Sequence, residues 1–254
     1  MKKPTIFDYQ AQVGLTKHLG GMEATKLLIE QCSIDGDNNV LELGCGVGNL
    51  WRENVDRVAE DWDVTLSDFS AGMLEKARQN LADSGREFTF RVIDAVDIPC
   101  EDEQFDAVIA NHMLYYVQDK PRGFSEMRRV LKPGGRLYAA TNGRRHMGEL
   151  RDLVAAFDPA ITFMDLTIES FTLETGVEQI AGFFGQVEVR RYPDGLAVTD
   201  DVALLDFVFS STSVSNLPEG KKAGLAQFIR AHFASLGGLF RITKDPGMVC
   251  GRRA

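Results

Sequence analysis

Segments with the apolar pattern of a strand alternate along this chain with segments that have the apolar spacing of a helix. Together they predict a fold of the α/β class. Short continuous apolar runs are typical of strands buried on both faces of a parallel sheet. Between them, apolar residues recur every three or four positions, which predicts helices with one buried face. The predicted strands lie at residues 40–43, 62–66, 88–93, 105–110, 136–141 and 187–189, and in 88–93 and 187–189 apolar residues alternate with polar ones.

The first apolar run leads directly into three glycines, Gly44, Gly46 and Gly48, and then into a predicted helix. Glycines at the end of a buried strand allow a tight turn and let the backbone approach a ligand where a Cβ atom would intrude. The stretch therefore predicts a nucleotide-type site. Its spacing is G-x-G-x-G, because Asn49 stands where the dinucleotide-binding pattern G-x-G-x-x-G has its third glycine. A tight turn without a ligand is the alternative interpretation.

Two acidic residues follow the next two predicted strands. Asp68 lies twenty residues beyond Gly48 and ends the second strand, where its two carboxylate oxygens can accept both hydroxyls of a ribose. Nicotinamide sites use the same device, so Asp68 does not distinguish one adenosine cofactor from another. Asp94 follows the third strand, at a position where an isolated aspartate usually caps a turn or a helix.

Four motifs in this order resemble those of the class I S-adenosylmethionine-dependent methyltransferases. They are E-L-G-C-G-V-G from Glu42, D-F-S-A-G-M-L from Asp68, N-H-M-L-Y-Y from Asn111 and L-K-P-G-G from Leu131. The motifs cover roughly residues 38–142, and the resemblance is thin beyond residue 160. It implies a Rossmann-like, doubly wound sheet of seven mostly parallel strands, with an antiparallel last strand and helical cap elements.

The resemblance also implies the cofactor S-adenosyl-L-methionine, with S-adenosyl-L-homocysteine as product. By this analogy the glycines admit the methionine moiety, Glu42 orients its ammonium directly or through water, and Asp68 holds the ribose. Asp94 reads the adenine together with the residue after it, and Asn111 closes the site from the fourth strand. The full set of predicted cofactor-binding residues is Glu42, Gly44, Cys45, Gly46, Gly48, Asp68, Phe69, Met73, Asp94, Ala95 and Asn111.

The acceptor side of the predicted site is less defined. His112 is the candidate general base, because it is the histidine beside the predicted methyl position and its pKa range suits the task. A hydrogen-bonded histidine that only supports the site is the alternative. Methyl transfer from a sulfonium needs no metal, so no metal site is predicted. The candidate walls of the substrate pocket, each with core packing as its alternative, are Tyr9, His18, Tyr115 and Tyr116, the last of which replaces a second histidine found in some small-molecule methyltransferases.

Composition excludes some classes of partner. The chain has 37 acidic and 28 basic residues among 254, a net charge of −9, which argues against a nucleic-acid backbone as partner. Its four cysteines are scattered and fit a reducing cytoplasm. No apolar stretch reaches the roughly 18 residues of a membrane span. We therefore expect a cytoplasmic protein without stable membrane insertion, present as a monomer or homodimer.

The chain is expected to form one methyltransferase domain, residues 1–254. The last strands are expected to pair as a hairpin, residues 240–243 with 248–250, and the helical insertion before them could form a cap over the substrate, contact a second copy or pack on the sheet. The predicted parts are an N-terminal lid or helix at 1–36, a cofactor-binding core at 37–192, a helical insertion at 193–238 and terminal strands at 239–254.

Three functions remain open at this stage. The main hypothesis is an enzyme that transfers a methyl group to an O, N or C nucleophile of a small molecule by in-line displacement, similar in its core to the ubiquinone and menaquinone biosynthesis methyltransferases. The second is a non-catalytic protein that binds S-adenosylmethionine and regulates or scaffolds a partner. The third, a nicotinamide-dependent reductase, is disfavoured by Asn49 and Asp94.

Overall fold

The computed structural model describes residues 38–58, 60–163, 166–192 and 194–254. Tyr9 and His18, both predicted to line the substrate pocket, and the predicted lid lie outside the described residues. The described chain divides into two compact units. We call them the sheet unit, which comprises residues 38–144, 167–192 and 246–254, and the helical unit, which comprises the described residues of 145–166 and 194–245.

The sheet unit contains a seven-stranded sheet in the order β3-β2-β1-β4-β5-β9-β6. The first five of these strands pair in parallel, whereas β9 is antiparallel to both of its neighbours. The predicted fold class is therefore confirmed, including the antiparallel last strand. The strands are β1 (Asn38–Leu43), β2 (Trp62–Asp68), β3 (Thr89–Val92), β4 (Phe105–Asn111), β5 (Leu131–Asn142), β6 (Gly185–Arg191), β7 (Asp194–Val198), β8 (Phe240–Lys244) and β9 (Pro246–Arg252).

Helices cover both faces of this sheet, because side chains that alternate along the strands feed two separate apolar clusters. Short 3-10 turns at Val55–Arg57, Leu114–Tyr116 and Leu166–Ser170 complete the connections. The helices of the two units are α1 (Asn49–Arg52), α2 (Ala71–Leu81), α3 (Lys120–Val130), α4 (Gly148–Phe157), α5 (Leu173–Ala181), α6 (Asp201–Ser210), α7 (Thr212–Ser215) and α8 (Glu219–Ser235).

Side-chain caps fix where several helices begin. The Ser70 hydroxyl accepts the backbone N–H of Met73 at the start of α2. Asp119 accepts the N–H of Arg122 at the start of α3, with a proline in the first turn. These caps satisfy N–H groups that have no partner within the helix itself.

The motif L-K-P-G-G belongs to β5 instead of forming a separate loop before it. Phe105 of β4 pairs with Leu131, and the next pair joins Ala107 to Arg136, so a bulge absorbs the residues between them. A Cβ atom on Gly135 would lie 2.9 Å from a backbone oxygen within the same bulge. The motif therefore shapes the strand, and its charged side chain, Lys132, forms an ion pair with Asp106 of β4.

The helical unit packs α4, α6 and α8 with a two-stranded sheet of β7 and β8 around its own apolar cluster. Within the segment predicted as a helical insertion, residues 193–238, the described residues form α6, α7 and α8 together with β7. The expected hairpin between residues 240–243 and 248–250 is wrong, because β8 pairs with β7 while β9 pairs with β5 and β6. Apolar alternation identifies a strand without identifying its partner. No helix in the described part of the chain combines the length and apolar character that crossing a membrane requires.

Replacement of Gly247 in β9 by alanine tests the tight packing between β9 and its neighbours. A Cβ atom at this position would lie 2.5 Å from the backbone oxygen of Arg190 and 2.8 Å from a methyl carbon of Leu173. Because a strand backbone cannot shift freely, we expect Gly247→Ala to lower the free energy of unfolding by about 1–3 kcal/mol in denaturant titrations.

The matched control is Gly220→Ala in α8, where a Cβ atom would meet nothing within 4 Å. That change should leave stability unchanged or raise it by up to about 1 kcal/mol, because alanine favours the helix. Equal effects of the two substitutions would contradict the packing of β9.

Candidate functional site

The three glycines between β1 and α1 all adopt a left-handed backbone, with φ of 71° at Gly44, 56° at Gly46 and 78° at Gly48. This conformation strains any other residue. A Cβ atom on Gly44 would lie 2.8 Å from Met113, and one on Gly48 would lie 3.0 Å from Leu81. On Gly46 it would meet no described atom within 4 Å. The loop is thus packed at both ends and open in the middle.

The carboxylate of Asp68 connects this loop to the end of β2. One oxygen accepts the backbone N–H of Gly46 at 2.9 Å, and the other accepts the N–H of Ser70 at 2.8 Å. Each carboxylate oxygen can accept a further hydrogen bond, and the half-buried side chain remains accessible. Next to it, the side chain of Phe69 is 74% exposed, which leaves its ring free for contact with a ligand.

Glu42 is buried in the middle of the site, with 1% of its surface exposed. Its carboxyl group accepts the indole N–H of Trp51 on α1 at 2.6 Å. The pKa of Glu42 is raised to about 8: removal from water is the largest cause, the hydrogen bond from Trp51 lowers the pKa, and the negative charge of Asp68 raises it. Glu42 is therefore mainly protonated at neutral pH.

The thiol of Cys45 is buried between these two acids. Its pKa lies well above its usual value, first because of burial and then because of the charges of Glu42 and Asp68. A neutral thiol is a poor nucleophile. The backbone N–H of Cys45 donates to Ser67 at 2.8 Å, so the residue serves to anchor the loop to β2.

The end of β4 brings the predicted acceptor-side residues into the same unit. His112 directly follows the strand and has a left-handed backbone with φ of 53°, and its N–H donates to Ala140 on β5. Such a conformation in a residue other than glycine is often found at functional sites. The rings of Tyr115 and Tyr116 meet edge to face at 4.6 Å, and Tyr116 is 49% exposed.

The remaining predicted residues follow β3 and begin α2. Asp94 is exposed, and its carboxylate accepts the N–H of Val96 while its carbonyl accepts that of Asp97. This is the turn that an aspartate after a strand usually makes, so adenine contact at Asp94 stays a prediction. Ala95 is buried and Met73 is half-buried in the first turn of α2.

The sheet order places most of these residues at one edge. β1, β2 and β4 are parallel neighbours, so their carboxyl ends carry Glu42 with the glycines, Asp68 and Asn111. The chain order reverses between β1 and β4, which is where open α/β sheets bind their ligands. Sequence reasoning missed Trp51. Trp51 could have been found from the rule that a buried indole N–H needs a hydrogen-bond acceptor.

Comparison with known proteins agrees with this geometry. Residues 40–135 match the model of a methyltransferase domain family. A ubiquinone/menaquinone biosynthesis C-methyltransferase of Bordetella avium is 39% identical over 98 residues, which are 39% of this chain and 38% of that protein. Over this segment the chain is therefore similar to methyltransferases. The chain spans about two fifths of the length of the curated relatives it matches.

Solved structures extend the similarity, at the level of the fold, to nearly the whole chain. A methyltransferase of Bacillus halodurans aligns with a TM-score of 0.65 at 16% identity, over 91% of this chain and 99% of that one. A phosphoethanolamine N-methyltransferase of Haemonchus contortus, solved in complex with S-adenosyl-L-methionine, aligns with a TM-score of 0.57 at 17% identity, over 96% and 56% of the chains. The resemblance predicted from the motifs is confirmed.

Replacement of Glu42 by glutamine tests the buried acid through the pH dependence of stability. Because the folded protein holds a proton that the unfolded chain loses from about pH 4.5, the free energy of unfolding should fall as pH rises from 4.5 to 8. The slope from this group is at most about 1.4 kcal/mol per pH unit. Glu42→Gln should show a flatter profile in denaturant titrations at pH 5, 6.5 and 8, and parallel profiles would contradict the assignment.

Proposed function

We propose that this chain is an enzyme that binds S-adenosyl-L-methionine at the carboxyl edge of its sheet and transfers the methyl group to a small-molecule acceptor. The observation that carries the proposal is the bond between Asp68 and the N–H of Gly46. It joins an accessible carboxylate to the open middle of a glycine loop, at the position where the strand order reverses. The predicted ribose and methionine contacts then lie side by side.

The residues present fit the proposed cofactor. Asp68 keeps acceptor capacity for ribose hydroxyls, and the exposed ring of Phe69 offers a flat apolar surface for adenine. The open side of Gly46 leaves room for the methionine moiety. Glu42, two residues before the first glycine, would meet its ammonium. Asp94 with Ala95 would contact the adenine of the cofactor, and Asn111 would close the site from the end of β4.

The chain's own contribution to the reaction is mainly alignment. The bound cofactor supplies an activated methyl group on a sulfonium, and a displacement in line with the leaving sulfur needs no protein nucleophile. Holding donor and acceptor in that geometry can contribute roughly 7–11 kcal/mol to lowering the barrier. The neutral thiol of Cys45 fits this role, because it would not compete for the methyl group.

The acceptor would enter beside His112 and the two tyrosines. The half-exposed ring of Tyr116 favours a flat or aromatic acceptor, and the relative from Bordetella avium is named for quinone biosynthesis. A net charge of −9 fits a small-molecule acceptor better than a nucleic acid. We place the enzyme in the cytoplasm, as a monomer or homodimer.

Replacement of Asp68 by alanine tests the cofactor site. S-adenosylhomocysteine at a hundred times its dissociation constant should add about 2.7 kcal/mol to the free energy of unfolding of the unmodified protein. This increase raises Tm by roughly 5–10 °C for a chain of this size. Asp68→Ala should remove most of this shift. Asp63→Ala, an exposed acid on the same strand, should keep it. A shift with NADH, or an equal shift in both variants, would contradict the proposed function.

His112→Asn tests whether the histidine acts as a base. Asparagine tolerates the left-handed backbone better than most residues, so the turn should survive while the imidazole is lost. If the acceptor gives up a proton, kcat should fall by about 10²–10⁴-fold with S-adenosylhomocysteine affinity unchanged. An unchanged kcat at pH 6–8 would restrict His112 to a supporting role. Failure of the unmodified protein to turn over any quinone-like phenol or small amine would favour the non-catalytic alternative.

A further inference from the structure

The contact between Glu42 and Trp51 is a hydrogen bond between two side chains that are both buried. Trp51 has no exposed surface, and Glu42 has 1%. The indole has a single donor and no acceptor, so its N–H is fully used by the carboxyl group at 2.6 Å. Within the described residues, no other side chain bonds the Glu42 carboxyl.

Both partners are held in place by their surroundings. The ring of Trp51 packs edge to face on Phe88 with 5.9 Å between ring centres and belongs to the apolar cluster on that face of the sheet. The main chain of Glu42 is fixed by a 2.7 Å bond from the hydroxyl of Ser67 to its carbonyl oxygen. The orientation of the carboxyl group is therefore set by the indole N–H.

The charges around Glu42 are of one sign. Asp68 at the end of β2 is the charged side chain that acts on it, the adjacent Cys45 thiol is neutral, and its partner in register on β4 is the apolar Ile109. Among the described residues no cationic group offsets the carboxylate form. A cation that entered beside Glu42 would supply the missing opposite charge.

We propose that Trp51 is a positioning residue for cofactor binding: its indole N–H holds one oxygen of Glu42 so that the other faces the cofactor's ammonium, which displaces the carboxyl proton. This inference rests on the proposed function. The balance is simple, because a neutral carboxyl and an ammonium cation become an ion pair and one proton passes to solvent. With a pKa of about 8 for Glu42, roughly nine tenths of the sites carry that proton at pH 7.

Proton release can be counted without any mutation. Calorimetric titrations with S-adenosylhomocysteine at pH 7, in phosphate and in imidazole buffers of different ionisation enthalpy, should give close to one proton released per cofactor bound. At pH 9 the number should fall toward zero. 5′-Methylthioadenosine has the adenosine and the sulfur but lacks the ammonium, so it should bind without releasing a proton. No proton release with S-adenosylhomocysteine at pH 7 would overturn the proposal.

Trp51→Phe removes the N–H and keeps an aromatic ring. We expect the affinity for S-adenosylhomocysteine at pH 7 to fall about tenfold. Because loss of the hydrogen bond raises the pKa of Glu42, the pH above which S-adenosylhomocysteine binds more tightly should move upward. The affinity for 5′-methylthioadenosine should stay within twofold. Equal losses for both ligands would mean that Trp51 acts only through packing. Glu42→Gln should abolish proton release in either background.

The two ligands also separate this inference from the proposed function. If neither ligand binds the unmodified protein, the cofactor site itself is wrong. If both ligands bind and neither releases a proton, the cofactor site is supported and the proposed role of Trp51 and Glu42 is wrong.

Discussion

The carboxylate of Asp68 holds together three segments that meet at the end of β2. It accepts N–H groups from Gly46 in the glycine loop and Ser70 before α2, and hydrogen bonds to a charged acceptor contribute about 1.5–3 kcal/mol each. The loop can keep its left-handed turns without a ligand because these bonds and the packing of Gly44 and Gly48 fix it. A site arranged before binding loses less entropy when the ligand arrives.

The parts of the fold that the sequence could predict are those with a local cause. Buried parallel strands are rich in apolar residues, so the positions of β1 to β5 along the chain could be predicted from the pattern. Their arrangement in the sheet was implied by the family resemblance. The pairing of β8 with β7 could not be predicted, because β7 is five residues long and its partner lies more than forty residues away. A short alternating segment carries no information about which edge will receive it.

The same distinction applies to the site. The glycines and Asp68 were predictable because a tight turn and a strand end each demand one kind of residue at a fixed spacing. The bond from Trp51 to Glu42 was not, because it depends on a helix of four residues that turns the indole back over β1. The left-handed turn at His112 was also hidden, since nothing in the sequence excludes an ordinary strand end there.

Two acids in neighbouring strands thus have opposite surroundings. Asp68 is accessible and accepts two backbone N–H groups. Glu42 is buried with one indole N–H and a negative neighbour, an arrangement that favours the neutral acid. Without a bound cofactor, a neutral Glu42 avoids the cost of a buried charge, so this acid lowers the stability of the fold little. The carboxylate forms only when a cation can pair with it. A permanent ion pair at this position would instead have to be broken by the ligand.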